Sequence, residues 1–113
     1  MKPPHLSPFQ EAGGLVYISG QLPFDADGKI SGAGVAEQTT QVLQNIDRVL
    51  GSIGLERSNI VKTTVWLRPD ADFTAFNDSY AAFFGEHRPA RSTVLSGLVL
   101  AAATVEIEAI ACR

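Results

Sequence analysis

At 113 residues the chain has room for one domain with a modest core, and its 45% hydrophobic and 19% charged content is globular. A formal charge of −3 from dispersed residues leaves no basic stripe to follow a phosphate backbone, which argues against a nucleic-acid partner. Cys112 is the only cysteine, excluding an internal disulfide.

The opening MKPPHLSPFQEAGG is broken by Pro3, Pro4 and Pro8, so residues 1–12 are expected to be irregular, with no signal-peptide apolar region. Residues 15–19 alternate as a short strand, with Leu15, Tyr17 and Ser19 on one face and Val16 and Ile18 on the other. Gly20 permits a close backbone approach or an unusual dihedral. Asp27-Gly28 signals a tight turn that lets Lys29-Ile30 pair back toward Leu22–Phe24. Over residues 34–53 the period becomes helical: Val35, Gln38, Val42, Ile46, Val49 and Ile53 form one side, Glu37, Gln41, Gln44 and Arg48 the other, with Gly54 the favoured stop.

Residues 60–67 are the clearest strand, rich in β-branched residues and closed by Arg68-Pro69. Asp72 is the expected N-cap of a second helix over residues 73–84, whose apolar side is Phe73, Phe76, Tyr80, Phe83 and Phe84. That aromatic spacing fits a buried helix face rather than a cofactor box. ARSTVLSG and TVEIEAIA then predict a closing hairpin. The uncharged run 92–105 is too short, and too interrupted by Ser96 and Gly97, to span a bilayer. A cytoplasmic protein with no membrane partner is expected.

The predicted fold class is α+β, a mixed sheet with two helices on one face in a single domain over residues 1–113. Val105, Ile107 and Ala109 are assigned to the helices. Thr104, Glu106, Glu108 and Ile110 point to the uncovered side, together with Lys62, Thr64 and Trp66, opposite Val61, Thr63, Val65 and Leu67. A face mixing tryptophan, isoleucine, threonine and charges predicts burial against other subunits, with polar clefts between them.

Arg91, at a strand entrance after Pro89-Ala90, presents a planar fork that suits a carboxylate ligand. The competing reading is a structural salt bridge to Glu86, Glu106 or an aspartate. A partly desolvated Glu106 would have a raised pKa suited to acid–base work, and a nearby arginine would lower it again. Glu108 faces the same way about 7 Å on and is the rival, with Lys62 its expected structural partner. Periodicity does not choose between the two carboxylates. Ser19 lacks a His/Asp partner for a nucleophilic triad, and His87 is expected to serve the helix C-terminus rather than a ligand. His5 and His87 alone do not build a zinc site, and the glycines match no phosphate loop, so no metal or cofactor is expected.

LVYISGQLP at residues 15–23, Gln38-Thr39, Val42-Leu43 and Asn45-Ile46, IVKTTV at 60–65, Phe73, Phe76-Asn77 and Tyr80, Phe84, PARST at 89–93 and VEIEAIA at 105–111 together resemble the RidA (YjgF/UK114) family of enamine/imine deaminases. The resemblance covers residues 5–111. It implies a fold like the trimeric chorismate mutases, a homotrimer around a central barrel with a cleft at each subunit boundary. It also implies that Arg91 holds a substrate carboxylate with a backbone N–H near Thr93, that Glu106 works with the attacking water, and that Ser19 and Asn77 support the cleft. Two departures stand out. Leu6 occupies the place of a family tyrosine, and Val99-Leu100-Ala101-Ala102 replaces a Leu-Pro-Lys-Gly connection. The leading expectation is cofactor-free hydrolysis of small 2-imino or 2-enamino acids to 2-keto acids and ammonia. Alternatives are a trimeric module that binds small carboxylates or a protein without turnover, and a pathway-specific enamine deaminase. Endoribonuclease action fits the acidic balance least.

Overall fold

A computed structural model describes residues 2–30 and 34–113. The chain order is β1 (Phe9–Ala12), β2 (Leu15–Gln21), α1 (Val35–Ser52), a 3-10 turn (Arg57–Asn59), β3 (Ile60–Leu67), α2 (Phe73–Phe84), β4 (Ala90–Leu95) and β5 (Val105–Cys112). The strands form one sheet in the order β1-β2-β5-β3-β4, in which β3 and β4 are parallel and the remaining pairs antiparallel.

Both helices pack on the face predicted for them. Val105, Ile107, Ala109 and Ala111 of β5 and Thr63, Val65 and Leu67 of β3 are buried beneath α1 and α2. Val42, Leu43, Ile46 and Leu50 of α1 and Phe76 of α2 are fully buried. Each such side chain stabilises the fold by about 1.5–3 kcal/mol relative to exposure. The α2 cap forms as expected, with Asp72 Oδ1 accepting from the Ala75 N–H at 3.1 Å. Ile30 bridges back to Phe24, as the Asp27-Gly28 turn predicts.

Three expectations are corrected. Residues 9–12, expected to be irregular, form β1, because Gly13 and Gly14 both take positive φ (60° and 82°) and close a two-residue hairpin onto β2. The prolines stop short of that strand, so their influence ends sooner than expected. Second, β4 and β5 are not a hairpin. After α2 the chain returns parallel to β3 at the sheet edge, and β5 enters on the other side of β3. Third, Val61 is exposed rather than packed with Thr63, because the β3–β5 register slips between Ile60 and Lys62 and turns Ile60 inward instead.

Two buried amides of α1 hold loops that lead to the candidate site residues. Asn45 Nδ2 donates to the Leu22 and Phe24 carbonyls, each at 3.0 Å, fixing the segment after β2. Gln38 Nε2 donates to the Ala102 carbonyl at 3.0 Å, and its Oε1 accepts from Thr104 N and Thr104 Oγ1 at 2.7 and 2.8 Å. The entry to β5, two residues before Glu106, is thereby pinned to the helix layer. Among the described residues no helix is long and apolar enough to cross a membrane.

Candidate functional site

Arg91 lies on the edge strand, opposite Thr63 in the parallel register, and its side chain turns toward α2. Its Nη1 donates to Asn77 Oδ1 at 2.9 Å. The guanidinium carbon sits 4.8 Å from the Tyr80 ring centre and 5.3 Å from that of Phe76. Tyr80 is anchored by a 2.7 Å hydrogen bond with Thr63 Oγ1. Burial pushes the Tyr80 hydroxyl pKa upward, against the opposing pull of the Thr63 bond and of Arg91, so this floor is aromatic and neutral.

Arg91 pairs with no carboxylate among the described residues. The ion pairs found there are Arg57–Asp47, Arg68–Asp70 and Arg113–Glu11, so the structural salt bridge weighed for Arg91 is not formed within the chain. Asn77 and the two rings orient the fork and leave it without a counter-ion. Phe76 and Tyr80 were expected only as core. Their second use escaped the sequence because helical periodicity says which face is buried, not what charge crosses the end of that face.

Glu106 and Glu108 project from β5 on the face without helices, opposite Trp66 and Thr64 of β3. Both are half-buried. The Glu106 carboxylate lies over Gly20 of β2 and has no hydrogen-bond partner among the described residues. Burial, and to a lesser degree the charge of Glu108, raises its carboxyl pKa above the ordinary carboxylate range. Arg91 does not contribute to that shift, contrary to the expectation that it would lower it.

Glu108 does not pair with Lys62 as expected. Lys62 stands opposite Ile110, and its Nζ donates instead to Ser92 Oγ at 2.9 Å. Glu108 borders a shallow depression of about 280 Å³ shared with Ser7, Gln10, Tyr17 and Ser19. Ser19 Oγ donates to the Ser7 carbonyl at 2.5 Å, and Ser19 N to the Pro8 carbonyl at 3.0 Å. Its hydroxyl proton therefore ties down the N-terminal segment, leaving only acceptor capacity for a ligand. Leu6 in that segment is 61% exposed. His87 meets the end of α2 only through its backbone N–H, which donates to the Phe84 carbonyl at 3.3 Å, while its Nε2 reaches the Ile60 carbonyl of β3 at 2.7 Å, so the ring serves β3 rather than the helix C-terminus expected for it. Thr93 lies half-buried two residues beyond Arg91 on the edge strand.

Within one chain, Arg91 and Glu106 are kept apart. They occupy opposite faces, with β3 between their strands, and the register sets Arg91 against Thr63 but Glu106 against Trp66. Two strand spacings and a three-residue offset each amount to roughly 10 Å. No small substrate bridges the two groups through the sheet.

The raised carboxyl of Glu106 has a consequence for stability. A carboxyl whose folded pKa exceeds its unfolded value binds more protons in the native state, so stability falls as pH rises from the ordinary carboxyl pKa through the folded one. E106Q removes this penalty. At neutral pH the variant is expected to unfold at higher denaturant concentration than the parent, the gap closing below the ordinary carboxylate range. Denaturant titrations at pH 4 and pH 7 check the sign, and an equal gap at both pH values rejects it.

Residues 4–113 match the family described as Endoribonuclease L-PSP. The chain belongs to this family, the RidA (YjgF/UK114) group. Among RidA relatives, the protein named 3-aminoacrylate deaminase RutC from Acinetobacter baylyi is 38% identical over 113 residues, covering 96% of this chain and 90% of its own. The Bos taurus protein named 2-iminobutanoate/2-iminopropanoate deaminase is 41% identical over 99 residues, covering 87% and 72%. The crystal structure of E. coli TdcF with bound serine superposes with a TM-score of 0.88 at 33% identity, covering 100% of this chain and 91% of that one. The single-chain fold expected from the resemblance, a mixed sheet with two helices, is that of the RidA structures.

Proposed function

We propose that the protein hydrolyses small 2-enamino and 2-imino acids to 2-keto acids and ammonia, in clefts between the subunits of a homotrimer. The observation that carries this reading is a pair of groups left uncompensated among the described residues: an oriented arginine lacking a counter-ion and a half-buried carboxylate lacking a hydrogen bond, on opposite faces of one sheet. They serve one substrate only if the Arg91 edge of one subunit meets the open face of the next. Such a head-to-tail contact closes into a three-membered ring when it relates neighbours by a third of a turn. The open face carries half-buried Trp66 and Ile110 with exposed Tyr17 and Val94, an apolar surface suited to the inside of a barrel. The relatives named as imine and aminoacrylate deaminases, and the serine bound to TdcF, support a small carboxylate-bearing substrate.

In this scheme the free part of the Arg91 fork grips the substrate carboxylate, helped by a backbone N–H near Thr93 on the unpaired edge. Asn77 holds the guanidinium in register, and Ser19 supports the cleft from the opposite wall. An enamine first takes a proton at C3 to become the iminium, whose C2 is already electrophilic, so no metal or organic cofactor is required. Glu106 accepts a proton from water as its oxygen bonds to C2, and the C=N electron pair moves onto nitrogen. The same carboxyl returns the proton to nitrogen. Ammonia then departs as the C2 oxygen forms the carbonyl and releases its remaining proton. A raised pKa makes the carboxylate a stronger base toward water, and the protonated carboxyl can return that proton.

A carboxylate-binding trimer without turnover is the second reading. It is favoured by Leu6, which offers no hydrogen bond, and by the committed hydroxyl of Ser19. RNA cleavage finds no support in a charge of −3 without a basic stripe. The discriminating measurement is ammonia release from imines generated in place by an amino-acid oxidase. Acceleration over spontaneous hydrolysis supports the deaminase, and binding without acceleration selects the second reading. Assembly is tested separately by sedimentation at micromolar concentration. A single species of three times the chain mass is expected, whereas a stable monomer would remove the intersubunit cleft.

A further inference from the structure

We propose that Gly20 is a positioning residue for Glu106: the missing side chain at position 20 is the space that the carboxylate occupies. The catalytic part of this inference rests on the deaminase reading, whereas the packing part stands on geometry alone. Gly20 lies in β2 where pairing with β5 is irregular, between Ile18 opposite Ala109 and Gln21 opposite Ile107. Two residues of β2 thus intervene against one of β5, and the bulge brings the backbone at Gly20 under the Glu106 side chain. A Cβ on Gly20 would fall on top of Glu106 Oε2, with the carboxyl carbon 3.1 Å and Cγ 3.4 Å away. All three of its nearest neighbours belong to that one side chain.

Gly20 does not fall among the glycines with positive φ, so its requirement is spatial and not conformational. Gly13, Gly14, Gly28, Gly54 and Gly85 are the converse case: each has positive φ, and a Cβ there meets open space. Glu106 has no hydrogen bond among the described residues to hold its orientation, so contact with the bare β2 backbone is what stops it swinging outward. Burial is the main cause of its raised pKa, so its place on the sheet surface also sets its solvation. A side chain at position 20 would push the carboxylate from the sheet surface and change both its position and its solvation.

The test is a double-mutant cycle between G20A and E106A, read first as the unfolding midpoint at a fixed protomer concentration. G20A is expected to lower the midpoint by a few degrees at most in the Glu106 background, because the displaced atoms are the end of a flexible side chain, and by less than that in the E106A background, where the added methyl has room. If G20A fails to fold while G20A/E106A folds, the coupling is shown in its extreme form. Equal losses in both backgrounds, failure of both to fold, or no loss in either overturns the proposal. The second readout is kinetic. G20A is expected to lower kcat at least tenfold with KM within about threefold, because Arg91 and its supports are untouched. Strong thermal coupling with unchanged kcat would uphold the packing role of Gly20 and reject Glu106 as the base.

Discussion

Replacing Arg91 with alanine is expected to lower kcat/KM for imine hydrolysis by about 2–5 kcal/mol, or roughly one and a half to three and a half decades. The oligomer and the fold are expected to survive. Among the described residues the guanidinium makes one hydrogen bond, to Asn77, and lies over rings that remain buried through their own contacts with α1 and β3. Removing it leaves no buried carboxylate unpaired, since none pairs with it among the described residues. R91K is expected to recover only part of the loss, because an ammonium supplies charge without the fork that matches a carboxylate. Ammonia release under steady-state conditions, beside the mass of the assembled variant, decides the matter. A variant that aggregates or dissociates would make Arg91 a structural residue.

The second large effect concerns the two carboxylates of β5. E106Q is expected to lose 10²- to 10⁴-fold in kcat, the usual worth of a positioned acid–base group, with KM changed little. E108Q is expected to stay within a few-fold of the parent. Its predicted pairing with Lys62 is absent, so its loss breaks no ion pair, and Thr64, its register partner, is uncharged. It does remove the like charge that helps raise the Glu106 carboxyl, so the acidic limb of the E108Q rate profile is expected to move to lower pH. A collapse of kcat in E108Q with near-normal E106Q would reverse the assignment. Parent-like activity in both would place proton transfer on the substrate or on another group.

The structure orders these two residues better than alternation did. Strand periodicity correctly sent both to the uncovered face but treated them as equivalents. What separates them is the neighbouring strand: Glu106 lies against a bare glycine, while Glu108 borders a depression it shares with the N-terminal segment. That difference depends on the irregular β2–β5 register, which no local pattern in either strand announces. Similarly, PARST marked Arg91 as a ligand candidate, but its freedom from a salt bridge depends on where Glu86 and Glu106 lie after folding.

The sequence by itself determined the two helices and the strands other than β1, the helix-covered face of the sheet and the residue types able to hold a carboxylate and move a proton. Those properties follow from 3.6- and 2-residue periodicities, cap chemistry and side-chain functional groups, all of them local. Only the tertiary structure decided that β4 pairs parallel with β3 rather than returning beside β5, because strand neighbours are chosen by the crossover through α2 and not by proximity in the chain. That choice puts Arg91 and Glu106 on opposite faces with a strand between them. The same physics leaves one face of the sheet without a layer among the described residues, since two helices cover only the other.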